Sequence, residues 1–318
     1  MLSPLVGIYR IPNLNNFSIA PQKPEPPLVN LFLRAFSMLP LRWNHRIGAL
    51  LGRLIYKVDR TYAKRMRDNL ALSGIAKAPR EFEALLRESI IESGKAATEV
   101  VIAWLRPPKE LSSLVRECYG WKYVEQALQR GRGVIFVTPH LGCFELAGRY
   151  LADRLEITIM HRPPKLAWAA RLMDKGREHS NAVMVPADMR GVRSLLKTLK
   201  RGGNICILPD QAPGQGDGVW TDFFGKPAYT MTLIGRLQHS TDATVLMFFG
   251  ERLSQGAGYR IWIEPLNAPL AAAPDQAARQ INAAVEKLVR QCPAQYLWSY
   301  NRYKAPAGAP KTPPKDAQ

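Results

Sequence analysis

Between residues 134 and 249 the chain alternates short apolar runs with longer amphipathic stretches. No other feature limits the fold as much. The runs at 134–137, 157–160, 183–185, 204–208 and 244–249 are too short for helices and rich in Val, Ile and Phe, so they read as strands. The stretches between them, about 143–155, 166–179, 192–199 and 231–239, carry helical spacing. In the third, Val192, Leu195, Leu196 and Leu199 share one face, and Gly202-Gly203 stops the helix. A strand at 259–263 is expected to pair with 244–249, and a last helix to cover 275–291. Upstream, Phe82, Leu85, Leu86 and Ile90 mark a helix over 81–105. Strands alternating with helices make βαβ units. The fold class is therefore α/β, a mostly parallel central sheet flanked by helices, over residues 71–304. Ligands of such sheets bind beyond the carboxyl ends of the strands.

Three strand ends carry polar clusters. The first reads Val-Ile-Phe-Val-Thr-Pro-His140-Leu-Gly-Cys-Phe-Glu145. A turn after Gly142 brings Glu145 back toward the imidazole. The pair then offers a general base and the carboxylate that holds its ring; the plain alternative is a surface histidine capping a helix. The second end delivers Arg162, with Arg171 and Arg177 on the helix that follows, a set suited to phosphate or carboxylate or merely to water. The third is Leu208-Pro209-Asp210-Gln211-Ala212-Pro213-Gly214. Asp210 is placed to orient a base or a substrate hydroxyl, unless it is a turn carboxylate. The glycines after it lack the Lys-Ser/Thr of a phosphate-binding loop. Farther on, Phe223 and Phe224 flank an expected turn, lining an apolar groove or filling the core.

Charge speaks to partners. Forty-four Lys and Arg face 26 Asp and Glu, a net charge of +18. That suits nucleic acid, an anionic membrane or an acidic protein. No zinc-finger, RNP or basic-zipper pattern is present. The excess is dense at Arg34, Arg42, Arg46, Arg53, Lys57, Arg60, Lys64, Arg65 and Arg67, interleaved with long apolar side chains. Over 28–39 a thin polar stripe of Asn30, Arg34 and Ser37 opposes Leu28, Leu31, Phe32, Phe36 and Leu39. That segment is too short to span a bilayer. It suits the plane of an anionic membrane, or packing on its own domain. Residues 28–70 are thus expected to form an amphipathic, membrane-associating helical segment. Residues 1–27 read as an irregular arm and 305–318 as a disordered tail. Cys118, Cys143, Cys206 and Cys292 form no paired motif, which fits a reducing compartment and argues against zinc.

His140-Leu-Gly-Cys-Phe-Glu145 resembles the H-x4-D/E motif of glycerolipid acyltransferases, whose fold is of the glycerol-3-phosphate acyltransferase type. The run beyond it is closer to one branch, the bacterial lipid A biosynthesis acyltransferases of lauroyl and myristoyl type. That branch follows the histidine–acid motif with an Arg-Pro segment, here Arg162-Pro163. Next come Pro209-Asp210-Gln211-Ala212-Pro213-Gly214 and Phe223-Phe224-Gly225-Lys226-Pro227-Ala228-Tyr229-Thr230. Arg65-Met-Arg-Asp-Asn69-Leu70 resembles its R-x3-N-L segment, and Gln295-Tyr296-Leu297-Trp298 its Q-Y-L-W close. The resemblance covers about residues 28–304. Ala212 replaces a common acidic residue, and Tyr300-Asn301-Arg302-Tyr303-Lys304 a His-Arg-Arg-Phe-Lys-like run. The resemblance implies acyl transfer from a thioester, usually on acyl carrier protein, to a lipid hydroxyl. His140 would be the base and Glu145 its orienter. Arg162, Arg177, Asp210, Gln211, Phe223 and Phe224 would contact substrate. No metal or organic cofactor is called for, and nucleic acid is not an expected partner. The place of work would be the cytoplasmic face of the inner membrane. A lipid A precursor is the leading acceptor, ahead of a lysophospholipid or ornithine-type lipid; a non-catalytic binder of the same fold is the other alternative.

Overall fold

The computed structural model describes residues 27–161, 181–214 and 216–311. Arg162, Arg171, Arg177, the helix expected at 166–179 and most of both termini lie outside these residues. The chain opens with four helices, α1 (Pro27–Ser37), α2 (Leu41–Val58), α3 (Arg60–Ser73) and α4 (Pro79–Leu105). Pro40 and Asp59 separate the first three; Asp59 Oδ1 accepts the Tyr62 N–H at 2.9 Å and so caps α3. In α4, Pro79 takes the first helical position and Glu81 reaches back to the Ala78 N–H at 3.2 Å.

Then come α5 (Pro108–Leu114), β1 (Val115–Tyr119), α6 (Trp121–Gln129), β2 (Val134–Val137), α7 (Phe144–Ala152), β3 (Ile157–His161), β4 (Ala182–Pro186), α8 (Met189–Lys200) and β5 (Asn204–Ile207). The chain continues through β6 (Gly218–Phe223), β7 (Lys226–Met231), α9 (Leu233–Thr241), β8 (Thr244–Arg252), β9 (Tyr259–Pro265) and α10 (Pro274–Gln291). Seven strands form one sheet in the order β1-β9-β8-β2-β5-β3-β4. Every pairing in it is parallel except β8 with β9. The expected mostly parallel sheet and the 244–249/259–263 pairing are both present.

The apolar strands are buried on both faces, as parallel strands are. Ile135, Val137, Ile205, Ile207, Val245 and Met247 point to one side, where α8, α9 and α10 pack. Val134, Phe136, Cys206, Leu246 and Phe248 point to the other, against α5, α6 and α7. Helix α4 supplies Leu86 and Ile90 to the first cluster and Ile102 to the second.

Helices α5 and α6, strand β1 and the β6–β7 pairing go beyond the sequence reading. β1 was not anticipated, because the buried partner β9 lies some 140 residues downstream. The stretch 218–231 is a two-stranded hairpin built around the turn expected beside Phe223 and Phe224; its two strands are what the sequence did not signal. Its tight turn, Phe224-Gly225, places both residues at positive φ, as a type I′ turn requires.

Helix α2 is inside out for a protein in water. It turns Asn44, His45, Gly48 and Gly52 inward, toward α4. It turns Leu50, Leu51, Leu54, Ile55 and Val58 outward, with Leu50 64% and Val58 67% exposed. The inward face allows close approach: a Cβ on Gly94 of α4 would lie 2.0 Å from the Gly48 carbonyl oxygen. No described helix is long and apolar enough to cross a membrane.

Candidate active site

β2, β5 and β3 lie side by side and parallel, so their carboxyl ends open at one edge. Val137 is in register with Ile207. Three residues beyond each stand His140 and Asp210, and register carries them together. His140 Nδ1 lies 2.8 Å from Asp210 Oδ1, and the His140 backbone N–H donates to Asp210 Oδ2 at 2.8 Å. A carboxylate can only accept, so Nδ1 carries the proton and Nε2 keeps its lone pair. The Gln211 amide nitrogen stands 3.2 Å from that Nε2.

Burial pushes the His140 imidazolium down. Asp210, by charge and hydrogen bond, and the charge of Glu145 behind it outweigh burial, and the pKa ends above the usual histidine value. For Asp210 burial acts upward, but His140 and then Arg302 hold the carboxyl below its ordinary range. Arg302 is itself buried, donating to the Tyr229 carbonyl at 2.8 Å and to Thr230 Oγ1 at 2.7 Å.

The orienting role expected of Glu145 therefore needs correction. Asp210 grips the ring nitrogen. Glu145 sits in the first turn of α7, and its Oε2 accepts from Trp104 Nε1 at 3.0 Å. Phe223 and Phe224 are corrected too. They are 1% and 7% exposed, in an aromatic cluster with Tyr296, Trp298 and Tyr303, and they belong to the core. Trp104, on α4, gave no signal in the sequence. The His140–Asp210 pairing did leave one. Both strands end in a residue, a proline and a polar side chain: Thr138-Pro139-His140 and Leu208-Pro209-Asp210.

The loop between His140 and α7 is pinned on all sides. The Leu297 N–H donates to the His140 carbonyl at 3.0 Å, the Gly142 N–H to the Gln295 carbonyl at 3.0 Å, and the Cys143 N–H to the Gly250 carbonyl at 2.8 Å. Gly142 has φ +60°, and a Cβ there would meet the Gly250 oxygen at 2.0 Å, so only glycine fits. The Gln-Tyr-Leu-Trp segment that braces this loop is braced in turn. Asn69 Nδ2 donates to the Trp298 and Tyr300 carbonyls, both at 2.6 Å. Cys143 is buried, and burial pushes its thiol well above the usual range, which disfavours a thiolate nucleophile.

His140, Gln211 and Glu145 open on a cavity of about 750 Å³, within the ~300–1,000 Å³ of small-molecule sites. Its wall is largely apolar, with Val100, Ala152, Ile159, Val192, Ile207 and Leu208 among its members. Behind it a second polar centre ties the helices to the sheet. Arg252 of β8 meets Glu99 of α4 in a two-pronged buried pair and Glu92 at 2.7 Å; His45 Nε2 and the Tyr259 hydroxyl also reach Glu99, at 2.6 and 2.8 Å. Among the described residues no three metal-binding side chains gather.

Comparison with known proteins agrees with this layout. The family model of bacterial lipid A biosynthesis acyltransferases matches residues 16–305. The lipid A biosynthesis lauroyltransferase of Escherichia coli (strain K12) is 27% identical over 278 residues, covering 86% of this chain and 89% of that protein. The palmitoleoyltransferase of the same organism is 28% identical over 265 residues, covering 80% and 84%. Its myristoyltransferase is 24% identical over 276 residues, covering 84% and 82%. A match across nine-tenths of the chain, around a histidine held at the carboxyl edge of a parallel sheet, makes this protein an acyltransferase and a member of the bacterial lipid A biosynthesis acyltransferase family.

Proposed function

We propose that the protein moves a fatty acyl group from an acyl carrier protein thioester to a hydroxyl of a lipid A precursor, with His140 as the general base. One observation carries this reading: an imidazole with Nδ1 on a buried carboxylate turns its Nε2 into a largely apolar cavity. The acceptor hydroxyl gives its proton to Nε2 as its oxygen attacks the thioester carbonyl. Gln211 swings aside to make room. The tetrahedral intermediate collapses, the carbon–sulfur bond breaks, and the imidazolium returns the proton to the departing thiolate. The products are an ester and a free thiol. Asp210 stabilises the transient imidazolium. The Phe144 ring, in the first turn of α7, stands 4.9 Å from the His140 ring, and the N–H groups of that helix start are proposed to receive the developing oxyanion. Arg162, by its place just beyond β3, is proposed to hold an acceptor phosphate together with Arg177.

The inverted surface of α2 supports contact with a membrane surface, which we propose to be the cytoplasmic face of the inner membrane. Its outward leucines, with Phe32 and Trp43 nearby, would enter the interface while Arg42, Arg46, Arg53 and Lys57 meet anionic headgroups. The test is acyl transfer by purified enzyme from an acylated carrier to a lipid A precursor, read by mass spectrometry. His140→Ala should lose about 10²-fold or more. Near wild-type transfer by that variant would end the proposal.

A further inference from the structure

We propose that the outward face of α8 is the docking surface for the acidic carrier protein that delivers the acyl chain. This rests on the donor reading above and adds the place of contact. The helix reads Met-Arg-Gly-Val-Arg-Ser-Leu-Leu-Lys-Thr-Leu-Lys. At about 100° per residue, Arg190, Arg193, Lys197, Lys200 and the adjoining Arg201 fall within a wedge of about 100°. Gly191, Leu195 and Leu199 fall opposite and are buried on the sheet. All five cations are exposed.

The helix contains no acidic residue. Only its N-cap, Asp188, answers the stripe, and it pairs with Arg190 at 2.8 Å. Arg193, Lys197, Lys200 and Arg201 make no ion pair with any described residue. Some exposed cations elsewhere do, Lys64 with Asp68, Arg67 with Glu83 and Lys287 with Glu264, while Arg42, Arg46, Arg53 and Lys57 of α2 make none among the described residues; what marks α8 is the alignment of its cations in one stripe. Like charges three and four apart on a helix repel, and an anionic partner relieves that repulsion.

Position ties the stripe to the chemistry. Asp188, Met189 and Val192, at the start of α8, line the cavity that holds His140. A protein resting along this helix of about 18 Å has its thioester arm beside the cavity wall. Charge chooses the partner. A membrane-binding face needs large apolar side chains, as on α2. On α8, Met189 is the one exposed large apolar residue among the described residues. A charged face with one apolar residue at the cavity suits an acidic protein.

The test compares wild type with the triple variant R193E/K197E/K200E, with R42E/R46E/R53E on α2 as the control. Acyl transfer is measured with an acylated acyl carrier protein and with the same acyl group on free pantetheine. Binding of the carrier is measured separately by fluorescence anisotropy at two salt concentrations, and the melting temperature reports folding. The α8 variant should weaken carrier binding and raise KM for the acylated carrier about tenfold or more. Its kcat, its use of the pantetheine thioester and its melting temperature should stay at wild-type values, and the α2 control should bind carrier normally. If wild type binds carrier and the α8 variant binds it equally well, the docking inference falls and the donor reading survives. If wild type itself neither binds the carrier nor uses its thioester, both fall. Loss of vesicle binding by the α8 variant with unchanged carrier affinity would assign the stripe to the membrane and overturn the inference.

Discussion

Replacing Asp210 by Asn separates the two carboxylates that compete for the role of orienter. The change is isosteric, so the 2.8 Å contacts to Nδ1 and to the His140 N–H can persist in outline. What it removes is the charge. Asp210 fixes the proton on Nδ1 and raises the imidazole pKa; without it, burial becomes the dominant influence on the ring and the pKa falls. The amide can also turn its N–H toward the ring and select the tautomer whose Nε2 is protonated and cannot act as base. Loss of a charged orienter costs about 10²–10⁴-fold in kcat, or about 3–5 kcal/mol of transition-state stabilisation. The pH profile gives the sign. The base must be neutral, and its folded pKa lies above 6.5, so wild-type activity rises with pH through a midpoint above that value. Asp210→Asn should move this acid limb to lower pH. The ring itself is followed by NMR of histidines labelled at carbon, with only five in the chain. Glu145→Gln, which removes the charge with the smaller influence on the ring, should move the His140 titration less than Asp210→Asn. A larger shift from Glu145→Gln, or a kcat within threefold of wild type for Asp210→Asn, would refute the assignment.

Glu99 is pushed upward by burial, yet Arg252 and His45 hold it at about 2 against an ordinary 4.5. A depressed carboxylate stabilises the fold above its unfolded pKa and loses that contribution as pH falls from 4.5 toward 2; 2.5 units correspond to about 3 kcal/mol. Glu99→Gln strands much of the Arg252 charge and should cost about 3–5 kcal/mol at pH 7, with a flatter acid slope in urea titrations; an unchanged unfolding midpoint refutes this. Gly94→Ala forces α2 from α4 because the new Cβ meets backbone; a loss of about 3 kcal/mol, or about 6 °C in Tm, is expected, and wild-type melting would show that the crossing is not tight. Leu50→Glu with Leu54→Glu changes only outward positions, so Tm should hold while co-sedimentation with anionic vesicles is lost; retained sedimentation would locate the membrane contact elsewhere.

The strands β2 and β5 were legible because a run buried on both faces must be apolar throughout, and few other segments are. The helix α8 was legible for the converse reason: Leu195 and Leu199 recur at helical spacing and the residues between them are charged. Even the outward leucines of α2 could be noticed, though only the packing of Gly48 against Gly94 shows which side of that helix is covered. β1 and the β6–β7 hairpin escaped because their pairing depends on partners or turns whose propensities are weak. At the site, local spacing drew attention to Glu145, five residues from His140. The ring instead takes its carboxylate from Asp210, seventy residues away. By itself the sequence determined the alternation of elements, the strand ends that carry polar groups and the histidine among them. Tertiary structure alone decided which acid holds that histidine. Two parallel strands set side by side in matched register bring their trailing residues within hydrogen-bond reach, and no distance along the chain encodes that neighbourhood.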